Sequence, residues 1–254
     1  MFNKKLVFVV ALLLVAAVVA VGANQVSGVK VPPGNIVDSP NASYTGEVKP
    51  NQVPGAPELP APAASSNVLF NESFNSDSLD AWRSLDDTTT ATWQAKEGRL
   101  NQMGDARGES ADEDAILLAK DVTFDNGVVE ASLYNTSGAP IGILFRGSDA
   151  GYYRLTLHGK TPGNNSKLLL QKFTPSGVQD LASAPVTTWP GYTLGKWNQV
   201  AVTATGAEIS VSIDGTQLLT ANDSTLSSGW VGVWSFADMS ARFDNVRIQH
   251  TAGR

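Results

Sequence analysis

The stretch Ile209-Ser210-Val211-Ser212-Ile213-Asp214-Gly215-Thr216-Gln217-Leu218-Leu219 decides the fold class of this 254-residue chain. Ile209, Val211 and Ile213 alternate with two serines and an aspartate, a period of two that buries one face of a strand and wets the other. Asp214-Gly215 then turns the chain, because glycine tolerates the positive φ that a tight hairpin needs. The strand at 217–221 therefore returns beside its partner.

Working outward, the same grammar recurs. Short apolar or alternating runs at 68–74, 92–96, 115–119, 127–134, 141–146, 152–158, 167–173, 199–205, 208–213, 217–221, 229–236 and 241–248 are separated by turn residues every eight to twelve positions. That spacing predicts an all-β, two-sheet antiparallel β-sandwich (a jelly roll) over residues 67–250. All six tryptophans fall in this region, with Trp82, Trp93, Trp197 and Trp230 expected in the core.

The first quarter reads differently. Lys4 and Lys5 precede an apolar run from Leu6 to Val21, and Val21-Gly22-Ala23 offers small residues for cleavage, so residues 1–23 are expected to be a signal peptide or a membrane anchor. A run of this length sits just under the roughly 17 to 25 residues needed to span a bilayer, and residues 6–21 are the candidate for membrane attachment. Residues 24–66 hold eight of the thirteen prolines and one aromatic residue, Tyr44. Such a segment buries too little surface to offset its ordering entropy and is expected to be a disordered, proline-rich linker with a span of roughly 40 to 130 Å. The expected location is secreted or membrane-anchored, extracytoplasmic.

Cysteine is absent, which excludes a disulfide framework. The formal net charge of −6 falls to −8 if residues 1–23 leave with Lys4 and Lys5, and this argues against nucleic acid as a partner.

Parity within one expected hairpin points to a binding face. If Ile141, Ile143 and Phe145 face the core, then Tyr153, Leu155 and Leu157 match them. Arg146, Tyr152, Arg154, Thr156 and His158 then turn to the opposite face, and Glu130, Ser132 and Tyr134 are expected to join them from the preceding strand. Rings stack on the apolar face of a pyranose while planar polar groups bind its hydroxyls, so this mixture suits a glycan or polysaccharide. The competing interpretation is a solvated sheet face with a Glu130–Arg154 cross-strand pair. Trp189, in a loop with Pro185, Pro190, Gly191 and Tyr192, either adds a stacking ring or caps the core edge.

Catalytic patterns are weak. Glu109, Asp112, Glu113 and Asp114 lie in a stretch with turn character and read as a hydrated loop. Glu130 stands alone on its strand. Only two histidines are present, Gly-x-Ser-x-Gly is missing, and so is a phosphate-cradling glycine loop.

The order Phe74, Trp82, Trp93 with Gly98-Arg99-Leu100, Gly142-Ile143-Leu144-Phe145-Arg146, Tyr152-Tyr153, Lys196-Trp197-Asn198, Asp214-Gly215, Gly229 to Val233 and Phe243-Asp244-Asn245-Val246 resembles the concanavalin A-like lectin/glucanase superfamily. The nearest shape is the laminin G-like jelly roll, including relatives of 3-keto-glycoside hydrolases. The resemblance implies one sheet curved into a groove. It also implies a structural calcium on the convex side, with Asp244 and Glu72 as its candidate ligands among the six to eight oxygens such an ion takes. The glucanase strand E-x-D-x-x-E is missing, so the resemblance does not carry over the retaining pair of carboxylates. The sequence thus favours a non-catalytic carbohydrate-binding module. A glycoside-processing hydrolase, or an adhesion domain binding a protein, stands as the alternative.

Overall fold

The alternation at 209–213 is borne out by the computed structural model, which describes residues 53–62, 66–85, 93–103, 114–159, 167–184, 189, 192, 194–236 and 240–251. Ile209, Val211 and Ile213 are buried, and the strand returns through a turn in which Asp214 and Gly215 both have positive φ, 49° and 77°. That pair of angles defines the tight turn whose twist matches the flanking strands. The expectations for residues 1–23 and for the linker up to residue 52 lie outside the described residues.

Fifteen strands and no helix are present among the described residues. One sheet of eight contains β13 (Thr216–Asn222), β12 (Glu208–Ile213), β11 (Asn198–Thr205), β6 (Gly127–Tyr134), β15 (Arg242–Thr251), β4 (Leu100–Gln102) and β3 (Trp93–Ala95) in that order, with β1 (Ser66–Glu72) paired to β15. The other, of seven, runs β10 (Gly177–Ala184), β9 (Lys167–Thr174), β8 (Gly151–His158), β7 (Ile141–Ser148), β14 (Trp230–Phe236), β5 (Asp114–Ala119) and β2 (Trp82–Ser84). Every pairing is antiparallel. Each strand read from the sequence is present. Trp82–Ser84, Leu100–Gln102 and Gly177–Ala184 are additional.

The core lies between the sheets. Val129, Ala131, Val200 and Val202 face Ile143, Phe145, Leu155 and Val233, all almost fully buried in one apolar cluster. Ile141 pairs with Leu157, Ile143 with Leu155 and Phe145 with Tyr153, so the inward half of the expected hairpin parity holds.

Two outward expectations do not hold. β6 belongs to the eight-stranded sheet and β8 to the seven-stranded one, so Glu130, Ser132 and Tyr134 cannot join Tyr152 on one face. The chain crosses from one sheet to the other between β6 and β7. Arg146 also leaves the expected face. It sits in a bulge between Phe145 and Ser148 with φ 51°, and one inserted residue reverses the alternation beyond it.

Residues 53–62, placed in the disordered linker by composition, lie against the eight-stranded sheet. The Trp197 indole donates to the Pro54 carbonyl at 2.6 Å and Arg247 to the Pro60 carbonyl at 2.6 Å.

Candidate functional site

The outer face of the seven-stranded sheet is paved with rings. Tyr152 on β8 and Phe173 on β9 are direct cross-strand partners, and their rings stack at 4.9 Å with an interplanar angle of 5°. Trp230, two strands away on β14, reaches the same cluster with its ring 5.3 Å from that of Tyr152. It does so by lying over Gly147, its partner on the intervening strand β7. A Cβ at position 147 would sit 2.1 Å from the Trp230 ring, so only glycine leaves room for the indole to lie flat. Trp234 repeats the device over Gly142, its own partner on β7, and donates its Nε1–H across that strand to the Leu155 carbonyl at 2.9 Å.

Arg154 locks this pavement. Its guanidinium lies 4.1 Å from the centroids of both Phe173 and Trp234, and it pairs with Asp114 at 2.5 Å. A planar cation between two rings gains from both quadrupoles. Further along the face, Thr156 donates to Gln171 (3.1 Å), and Gln171 donates to Asp180 (2.8 Å). His158 Nδ1 lies 3.0 Å from the Gly159 carbonyl, an oxygen that can only accept, so Nδ1 is the donor and the bond orients the imidazole. Burial pushes the Tyr152 phenol up to about 12, with Arg154 opposing and Asp114 reinforcing the rise. The hydroxyl therefore stays a neutral donor at ordinary pH.

Tyr152, Arg154 and His158 thus share one face as the sequence suggested, while the remaining candidates are dispersed. Glu130 lies on the outer face of the opposite sheet. One oxygen of its carboxylate accepts from Arg247 (2.8 Å) and Gln249 (2.6 Å), so its cross-strand partner is Arg247 rather than Arg154. Tyr134 is buried beside Trp197, its ring centroid 5.2 Å away. Arg146 is buried at one end of the sandwich and donates to the carbonyls of Asp125 (2.7 Å), Gly206 (2.8 Å) and Leu226 (3.4 Å) and to the Asn126 side chain. Burial lowers its pKa against the opposing pull of Tyr153 and Asp125. It clamps loops together. Trp189 is buried in the core cluster, as an edge cap would be.

Sequence reasoning missed Phe173, Trp230 and Trp234 as members of the face, Trp230 having been assigned to the core. The signal was present in the period-two spacing of Trp230, Gly232 and Trp234. It becomes readable once Gly147 and Gly142 are known to lie opposite the two indoles.

The two acids proposed for calcium come close enough to feel each other's charge. Burial pushes the Asp244 carboxyl up to about 6, the Asn245 N–H and Arg99 pulling it down and Glu72 adding to the rise. One Asp244 oxygen accepts the Asn245 N–H (2.6 Å), and one Glu72 oxygen accepts the Phe74 N–H (2.7 Å). No third acidic or histidine side chain converges with them among the described residues. Each carboxylate has one oxygen accepting a backbone N–H, and backbone carbonyls would have to complete the six to eight oxygens that calcium takes.

Two antiparallel sheets with this crossing order define a jelly-roll sandwich of the concanavalin A-like superfamily. Within it, the chain belongs to the family of 3-keto-alpha-glucoside-1,2-lyase-like domains, whose profile matches residues 68–249. A sequence comparison with curated proteins finds no match. Among solved structures, the carbohydrate-binding module CBM66 of Bacillus subtilis is similar at 16% identity and a TM-score of 0.51, over 65% of this chain and 93% of that one. A Bacillus subtilis protein of unknown function with a galectin-like fold aligns at 15% identity and a TM-score of 0.55, over 74% and 97%. A GlcNAcα1-4Gal-releasing endo-β-galactosidase of Clostridium perfringens aligns at 12% identity and a TM-score of 0.56, over 77% and 66%. At these identities the likeness is one of fold.

Proposed function

We propose that this domain binds carbohydrate on the outer face of its seven-stranded sheet, without bond cleavage. The observation that carries the reading is the ring pavement of Tyr152, Phe173, Trp230 and Trp234 around Arg154. Half-buried Tyr152, Phe173 and Trp230 present ring surface to a pyranose, and His158 and Gln171 stand on the same face to meet its hydroxyls. Membership of a family named for glucoside chemistry supports a sugar as the ligand class. Action outside the cytoplasm is part of the same proposal, supported by the Lys4-Lys5 start before the apolar run 6–21.

Binding is tested by titrating the protein with a panel of oligosaccharides and following tryptophan fluorescence. Trp230→Ala and Tyr152→Ala are each expected to weaken the best ligand at least tenfold while leaving the fold intact. Unchanged affinity in both folded variants would remove the site from this face.

The family match favours one second reading, cleavage of a keto-glycoside. On the ring face the described carboxylates of Asp114 and Asp180 are engaged with Arg154 and Gln171, which leaves the His158 imidazole as the group able to take a proton. Product formation that is abolished by His158→Gln would favour cleavage over simple binding.

A further inference from the structure

The opposite outer face, that of the eight-stranded sheet, presents hydrogen-bond donors, and a segment of the chain's own sequence rests on it. Arg99 donates to the carbonyl of Val53 (3.4 Å) and Trp197 to that of Pro54 (2.6 Å). Asn245 (3.0 Å) and Gln199 (3.4 Å) donate to Pro57, Gln199 also donates to Glu58 (3.0 Å), and Arg247 donates to Pro60 (2.6 Å). Each of these bonds runs from a side chain of the sheet or its bordering turns to a backbone carbonyl of the segment.

The acceptors have a period. Pro54, Pro57 and Pro60 are spaced three apart in Pro54-Gly55-Ala56-Pro57-Glu58-Leu59-Pro60. Three residues make one turn of polyproline II, so carbonyls at this spacing line one edge of that helix. Proline has no N–H to give, and a surface that reads such an edge needs donors alone. The sheet meets this condition. Of the carboxylates near the segment, Glu130 is held by Arg247 and Gln249, Glu97 is paired with Arg99, and one Asp244 oxygen accepts the Asn245 N–H.

Local backbone geometry positions two of the donors. The bulge in β15 between Asp244 and Arg247 inserts Asn245 at φ 49°, which turns its amide to Pro57 while Arg247, two residues on, remains on the outer face. Trp197 precedes β11 and is steadied by the Tyr134 ring.

We propose that this face is a recognition surface for extended proline-rich peptide, with residues 53–62 as its resident ligand. Carbonyls at every third position are read by Trp197, Asn245 with Gln199, and Arg247. The surface therefore binds the same peptide supplied from outside once the resident segment is loosened.

The test uses the full chain with Pro54, Pro57 and Pro60 all changed to glycine, which keeps the carbonyls and removes the preorganisation. In the parent, the Trp197 indole proton is expected to exchange with solvent at least tenfold more slowly than in this variant, as followed by NMR. A fluorescent peptide of residues 53–62 is expected to bind the variant saturably, to restore the slow exchange, and to leave the parent untouched. Adding Gln199→Ala and Asn245→Gly is expected to weaken that binding at least tenfold; glycine keeps the positive φ at 245. Equal binding of a scrambled peptide, or no saturable binding to a variant whose circular dichroism shows it folded, would overturn the proposal. The readout lies on the sheet opposite the proposed sugar face, so it succeeds or fails independently of that reading.

Discussion

Arg154 separates a ligand-contacting role from a supporting one, and its surroundings set the size of the effect. Its side chain is 14% exposed and that of Asp114 23%, so the pair stands between a surface bridge, at about 0–1 kcal/mol, and a fully buried one, whose breaking costs about 3–5 kcal/mol. A value of about 2 kcal/mol fits that position. Each of the two cation–π contacts adds about 1 kcal/mol in a partly desolvated setting. Arg154→Leu returns some apolar burial, and a net loss of about 2–3 kcal/mol in urea unfolding is expected. Arg154→Lys keeps the charge for Asp114 but loses the planar fit between the rings, and about 1–2 kcal/mol is expected. A double-mutant cycle with Asp114→Asn is expected to show about 1–2 kcal/mol of coupling. Stability unchanged within about 0.5 kcal/mol in Arg154→Leu would refute the clamp. So would loss of sugar binding with stability unchanged, because that outcome places the guanidinium on the ligand.

Gly147→Ala is expected to push the Trp230 ring off the sheet, altering the near-ultraviolet dichroism and weakening sugar binding at least tenfold, since the new Cβ would lie 2.1 Å from the indole. For Asp223, burial alone would raise the carboxyl, but hydrogen bonds from Lys172, Tyr153 and Thr225 outweigh it and hold the group below the usual carboxylate range. Its contribution is therefore present above the unfolded value near about pH 4 and is lost as the pH falls further. Asp223→Asn is expected to lower stability by about 2–4 kcal/mol at neutral pH and to flatten the acid limb of the stability profile in urea titrations. Tyr152 and Tyr153, both pushed up to about 12 chiefly by burial, stabilise the domain fully below about pH 10. That share is expected to disappear as the pH rises through 12, and to be absent from the alkaline limb of a Tyr152→Phe, Tyr153→Phe double variant. Arg146→Ala, which abandons three loop carbonyls, is expected to cost about 3–5 kcal/mol by thermal or chemical unfolding without changing the ligand profile of the folded fraction.

Local pattern carried most of the fold and less of the site. Strands whose inward residues alternate over six or more positions, such as Glu208–Ile213, announce themselves. Leu100–Gln102 is too short to show a period, and Gly177–Ala184 is an edge strand whose Val178 stands 54% exposed, so neither carries a buried stripe to detect. The outward parity of Tyr152, Arg154 and His158 was legible because it mirrors an apolar parity that burial enforces. Arg146 was not, because a single residue at positive φ flips the alternation and arginine is not a residue that advertises such a φ. Glu130 was misplaced for a different reason. Adjacency in sequence suggests adjacency in a sheet, whereas β6 pairs with β11 and β15, both far along the chain. The three-residue spacing of Pro54, Pro57 and Pro60 was visible throughout, but composition alone counts those prolines as solvent-seeking, and the donors that meet them come from β11, β15 and their borders.

The two outer faces therefore ask for different chemistry. Rings with few uncommitted charges favour a flat, partly apolar guest, and a row of N–H donors favours a chain of carbonyls. Sheets in a sandwich are separated by about 10 Å of packed side chains, so guests on opposite faces do not collide. Because the resident proline-rich segment occupies the donor face, holding it there costs the ring face nothing. Residues 53–62 lie against the eight-stranded sheet and so do not cover the pavement of Tyr152, Phe173 and Trp230.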